Sequence, residues 1–137
     1  MPKRLALPVM LICASASLSA QSGPLTGFGV QAGNKVVGVE GFSGYGHGAL
    51  YGSVQKFQEY SAPEVQVGAG ACGAGERSYG GAYLIASGGG KTGAGIGIAL
   101  QSGYKLGPVL VGLGGQAIAG TKHSHAEIFA FLGFKLD

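Results

Sequence analysis

The sequence predicts an all-β protein: a closed antiparallel up-and-down β-barrel of about eight strands, following a cleaved signal peptide. Three observations carry this. The 29 glycines among 137 residues recur too densely for helix interiors, where each costs up to about 1 kcal/mol relative to alanine. Apolar residues recur with period two, as side chains do when they point alternately to the two faces of a strand. Turn-forming clusters interrupt the chain every 8–12 residues or so, the spacing of short strands in a barrel or sandwich.

The N-terminus reads as an export signal. Lys3 and Arg4 precede a short apolar core, Leu5–Ile12, and small residues run from Ala14 to Ala20. That order predicts cleavage before Gln21, giving a 1–20 signal peptide and a single β-barrel domain over 21–137. The apolar stretch is too short for a spanning anchor, and Ile12 stands where lipoprotein processing at Cys13 wants a small residue. Removal of the signal leaves seven basic and six acidic residues, a net charge of +1. The basic residues are scattered singly, so no nucleic-acid patch is expected. Cys72 becomes the single cysteine, which excludes an intramolecular disulfide. With Ala71 and Gly73 beside it and no basic neighbour, it reads as a small buried residue rather than a reactive thiol.

The strands follow in order. Phe28, Val30 and Ala32 alternate with Gly27, Gly29, Gln31 and Gly33, and a break follows at Gly33-Asn34. Further breaks fall at Ser43–Gly48 and Gln58–Glu64. Val65, Val67, Ala69 and Ala71 then alternate with Gln66, Gly68 and Gly70. Breaks at Gly73–Ser78 and Gly88–Gly93 lead to the clearest strand, where Ile96, Ile98, Leu100, Ser102, Tyr104 and Leu106 share one face. Gly95, Gly97, Ala99, Gln101, Gly103 and Lys105 occupy the other. After Leu106-Gly107-Pro108, Val109, Val111 and Leu113 alternate with glycines. A last break at Gly120–His125 precedes Ile128, Ala130, Leu132, Phe134 and Leu136 on one face. Seven breaks make eight segments. An even number closes as an antiparallel barrel with both termini at one end and no exposed edge.

The second face indicates what surrounds the barrel. A soluble barrel shows water a face rich in Lys, Glu, Asp and Arg, whereas this one is mainly Gly, Ala, Gln and Ser. The aliphatic face is therefore expected outward, against lipid. The lipid-facing set is Ile96, Ile98, Leu100, Val109, Val111, Leu113, Ile128, Leu132 and Phe134. The tyrosines Tyr45, Tyr51, Tyr60, Tyr79, Tyr83 and Tyr104 fall near strand ends, fitting either interfacial girdles or cross-strand packing. With a periplasmic N-terminus, the outer loops include Gln58–Glu64, Gly88–Gly93 and Gly120–His125, and the Gly107-Pro108 turn is a tight inner one. Eight strands enclose an interior just wide enough for side chains. A glycine-lined wall then calls for a flattened or strongly twisted barrel, internal water, or packing against a neighbouring copy.

These features resemble the small eight-stranded outer-membrane β-barrel proteins of diderm bacteria, over the signal peptide and the amphipathic strands at residues 25–137. The resemblance is architectural. Gly133, Phe134 and Leu136 look like part of that family's C-terminal assembly signal, but the chain ends in Asp137 rather than an aromatic residue. The resemblance implies an outer-membrane location, membrane lipid as partner, and contact with other envelope proteins or self-association. A soluble periplasmic or secreted barrel binding an apolar ligand is the alternative, as is a glycine-rich subunit of a surface layer or fibre.

Candidate chemistry is sparse. Gly88-Gly89-Gly90-Lys91-Thr92 looks like a phosphate loop, but Ile85 stands where that pattern needs its first glycine, and a strand rather than a helix follows. His123 and His125 share a face if extended, with Glu127 next on it, and are the candidates for a transition-metal site. Asp137 is the only aspartate and no serine sits in a nucleophile elbow. No enzyme activity and no cofactor are expected.

Overall fold

The computed structural model describes residues 24–136, apart from the side chains at 45–47. The expected signal peptide, its cleavage site and Asp137 lie outside the described residues, as do the side chains of Tyr45 and His47. The elements are β1 (Leu25–Gly33), β2 (Val36–Phe57), β3 (Glu64–Ala74), β4 (Ser78–Gly89), β5 (Gly93–Leu106), β6 (Val109–Gly120) and β7 (His125–Lys135). Each pairs antiparallel with the next, and β1 pairs with β7 from Gly27↔Lys135 to Gly33↔Phe129. The sheet is closed.

The antiparallel seam shows that β2 counts twice. Seven strands joined by hairpins would bring the first and last together in parallel. Instead β2 doubles back on itself. Residues 36–44 pair with β1, while 46–55 pair with β3. The limbs lie side by side, since a Cβ built on Gly38 would meet Gln55 and one on Gly44 would meet Cys72 and Ala49. The barrel therefore has eight antiparallel strands, and the expected break at Ser43–Gly48 is its second turn. The other expected breaks also join strands. Loop 58–63 is the longest connection, and Gly107 at φ 64° makes the two-residue turn before β6. Gly88–Thr92 crosses the β4–β5 turn with no helix after it.

The aliphatic side chains point out. Phe28, Val30, Val39, Leu50, Val54, Val67, Leu84, Ile96, Leu113, Ile128, Leu132 and Phe134 are all exposed. Their neighbours in sequence turn inward and are buried, including Gln31, Ser53, Gln55, Glu64, Gln66, Gln101 and Gln116. Near the termini the interior is apolar, with Leu25, Phe42, Cys72, Tyr79, Leu110 and Phe131 packed together. Cys72 is fully buried, as expected from its neighbours. Toward the loop end the filling is polar, apart from a small cluster of Val36, Phe57 and Phe129.

Neighbouring backbone and inward aromatics occupy the space beside several of the glycines. Phe131 lies over Gly29 and Gly133, where an added Cβ would come within 2.8 and 2.6 Å of its ring. Tyr79 lies over Gly103 and Gly112 at 2.7 and 2.5 Å in the same way. Tyr79 also stacks on Phe42 at 6.3 Å, and Tyr51 on Tyr83 at 4.9 Å. Such pairs contribute roughly 0.5–1.5 kcal/mol each beyond the area they bury. This corrects the girdle reading for three tyrosines: Tyr51, Tyr79 and Tyr83 are buried inside the barrel, while Tyr104 is exposed outside.

Candidate functional site

Gln101 donates to Tyr83, and Ser87 Oγ and Tyr79 Oη are buried without a partner among the described residues, but most of the interior polar residues form one connected hydrogen-bond network. Its hub is Gln55, on the second limb of β2, whose Nε2 donates to Gln31 Oε1 and Gln116 Oε1, both at 3.0 Å. Gln116 Nε2 returns a bond to Gln55 Oε1 at 2.9 Å and lies 2.8 Å from Glu127 Oε2. Gln31 and Tyr51 both donate to Glu40 Oε2, at 3.0 and 2.8 Å. Glutamine suits this role because its amide offers two donors and an acceptor on a flexible stem. Each link spares a buried polar group the roughly 1–3 kcal/mol of being left without a partner.

The network ends in a cluster at the loop end. His125, the first residue of β7, sits between two carboxylates from different strands. Its Nδ1 is 2.5 Å from Glu127 Oε1, and its Nε2 is 3.8 Å from Glu64 Oε2. Thr92 Oγ1, from the β4–β5 turn, is 2.6 Å from Nε2, and the Thr92 backbone N–H donates to Glu64 Oε1 at 2.9 Å. Gln66 Nε2 donates to Glu64 Oε2 at 3.0 Å, and the His125 ring meets Phe57 edge-on at 5.3 Å. An imidazolium here donates from both ring nitrogens to groups that accept. The cluster ties β3, the β4–β5 turn and β7 together across the barrel.

Thr92, His125 and Glu127 stand in the order of a nucleophile, a base and an orienting carboxylate. Burial decides against that use. Thr92 is fully buried, and the His125 side chain is only 4% exposed, so no substrate atom reaches the hydroxyl. Above the cluster lies an open cleft of about 450 Å³, lined in part by Lys35, Phe57, Tyr60, Lys91 and Glu127. Lys91 Nζ is 4.0 Å from Glu127 and 5.5 Å from the centre of the Phe57 ring.

The structure parts the two histidines expected to share a metal. His123 is exposed in the loop before β7, its ring 6.0 Å from Tyr60, while His125 points inside. Residue 123 precedes the strand, so the period-two rule that put both on one face does not reach it. Among the described residues no group of three or more His, Cys, Asp or Glu is placed to hold a metal ion. The nine residues expected to face lipid all lie on the outer face. Ile96, Leu113, Ile128, Leu132 and Phe134 are exposed, and Ile98, Leu100, Val109 and Val111 are half-buried among their outward neighbours.

Comparison with protein-family models, with curated proteins and with solved structures finds no match. Sequence reasoning missed Glu64 and Thr92 as members of the cluster. Glu64, like Glu40 and Glu127, is an acidic residue at an inward strand position, a signal the alternation offered. Thr92 gives no signal, because its burial depends on how the turn folds over the barrel mouth.

Proposed function

We propose that this protein is a non-enzymatic outer-membrane β-barrel with a structural or interaction role in the cell envelope, its filled interior serving as a brace rather than a pore. The observation that carries the reading is the inversion of the barrel: aliphatic side chains outside, a hydrogen-bonded glutamine and carboxylate network inside. In water the outer surface would expose a contiguous apolar patch far larger than soluble monomers show. In lipid the same surface is solvated by acyl chains. A transmembrane strand needs about 9–11 residues, and the strands here run from 9 to 14 once β2 is taken as two limbs.

The alternatives fare less well. A barrel carrying an apolar ligand needs an apolar cavity, yet the pocket between Glu40, Tyr51, Tyr83 and Gln101 holds about 10 Å³, room for about one water. A fibre subunit adds strands at a free edge, and this sheet closes on itself. Membrane fractionation followed by electrophoresis of boiled and unboiled samples tests the proposal. The expected result is recovery in the outer-membrane fraction with heat-dependent mobility. A monodisperse monomer in detergent-free buffer after signal removal would refute it.

A further inference from the structure

Two outward glycines are not required by any close contact or turn. An added Cβ at Gly41 would meet nothing closer than 3.7 Å, and one at Gly52 nothing closer than 3.8 Å. Neither has a positive φ, so any L-residue fits there. Glycine in a strand interior weakens it for lack of a side chain to pack, and these two sit side by side on the limbs of β2. They interrupt an otherwise bulky cross-strand row. Val109, Phe134 and Phe28 stand in line across β6, β7 and β1, Phe28 pairs with Gly41, and Gly52 pairs with Val67. From β1 to β3, three strand spacings or about 14 Å, the row has no side chain between Phe28 and Val67. The result is an outer notch of about 820 Å³ with an almost wholly apolar lining, bordered in the next row by Val30, Val39, Val54 and Val65.

Toward the loops, one lysine stands beyond the notch. Lys56 is the next outward residue after Val54 on the same limb, two strand residues or about 7 Å further on. It is exposed, and its ammonium donates to the carbonyls of Phe57, at 3.1 Å, and Tyr60. That leaves the third of its donors. Lys35, paired with Glu59 at 3.2 Å, Lys91, 4.0 Å from Glu127, and Lys122 lie at the same end of the barrel. An apolar notch leading to the ammonium of Lys56 matches a molecule with an acyl chain and an anionic head.

We propose that the Gly41–Gly52 notch binds one anionic membrane lipid, its acyl chain lying over the two glycines and its phosphate at Lys56. This rests on the membrane reading above. The test is native mass spectrometry of the protein purified in mild detergent and titrated with phosphatidylglycerol or phosphatidylcholine. One phosphatidylglycerol is expected to be retained per barrel. Its preference over phosphatidylcholine should be about fivefold, the ratio that about 1 kcal/mol for one lysine gives. Gly41→Val with Gly52→Val places side chains in the notch at positions where an added Cβ meets nothing closer than 3.7 Å, so heat-dependent mobility should be unchanged while lipid retention falls at least about tenfold. Lys56→Ala should keep one lipid but lose the preference for phosphatidylglycerol. Equal retention by the filled variant and the wild type overturns the proposal. So does the absence of retained lipid in the wild type, or a dimer that only the filled variant loses, which would make a second copy the occupant. Failure of the membrane reading shows earlier and separately, as a protein that needs no detergent.

Discussion

Replacing His125 by alanine removes the group on which two buried carboxylates converge. Glu64 is fully buried and the Glu127 side chain is 10% exposed. Removing one partner of a buried ion pair costs about 3–5 kcal/mol, because a buried charge is left uncompensated. The structure points to the lower end of that range. Glu64 keeps the Thr92 backbone N–H and the Gln66 amide, and Glu127 keeps the Gln116 amide with Lys91 at 4.0 Å. Loss of the edge-on contact with Phe57 adds about 0.5–1.5 kcal/mol, for a total near 4 kcal/mol. Set against a typical stability of about 5–15 kcal/mol, that is a large loss. Urea unfolding in micelles, followed by far-UV circular dichroism, measures it. Glu64→Gln added to His125→Ala should recover about 1–2 kcal/mol, since a neutral amide can occupy the site without a counter-charge. A His125→Ala cost below about 1 kcal/mol would refute the reasoning, and strictly additive effects in the double-variant cycle would show that the histidine does not act through the carboxylate.

Two further outcomes separate the readings of the barrel wall. Leu84 is 73% exposed in the middle of β4. In a bilayer, Leu84→Arg should cost about 2–4 kcal/mol, whereas on a water-exposed surface it should stay within about 0.5 kcal/mol; equilibrium unfolding in lipid vesicles distinguishes the two. Gly103→Val should cost about 1–3 kcal/mol, because the new Cβ would clash with the Val111 carbonyl oxygen and stand 2.7 Å from both Gly112 Cα and Tyr79 Cε1. An unchanged midpoint in thermal unfolding would mean that β6 and Tyr79 give way freely and do not pack against Gly103 as described.

Much of the architecture is local and was legible in residue order. Alternation is a property of the extended backbone, so the faces of the strand from Gly95 to Leu106 and their partners could be assigned without tertiary information. Glycine and polar clusters marked all seven turns, including the one inside β2. The scarcity of charge on the second face indicated that the aliphatic face turns outward, and the exposed Ile96, Leu113 and Phe134 do so. The interior depended on something the sequence does not encode locally. The stagger of a closed barrel sets which inward side chains from distant strands meet. That stagger brings Glu64, Thr92 and His125 together across as many as 61 positions in the chain, links Gln55 to Gln116, and lays Tyr79 and Phe131 over glycines of neighbouring strands. The chain order determined a two-faced, closed sheet, because strand periodicity and turn chemistry act between near neighbours. Only the tertiary structure decided how its interior is filled, because that filling is fixed by register.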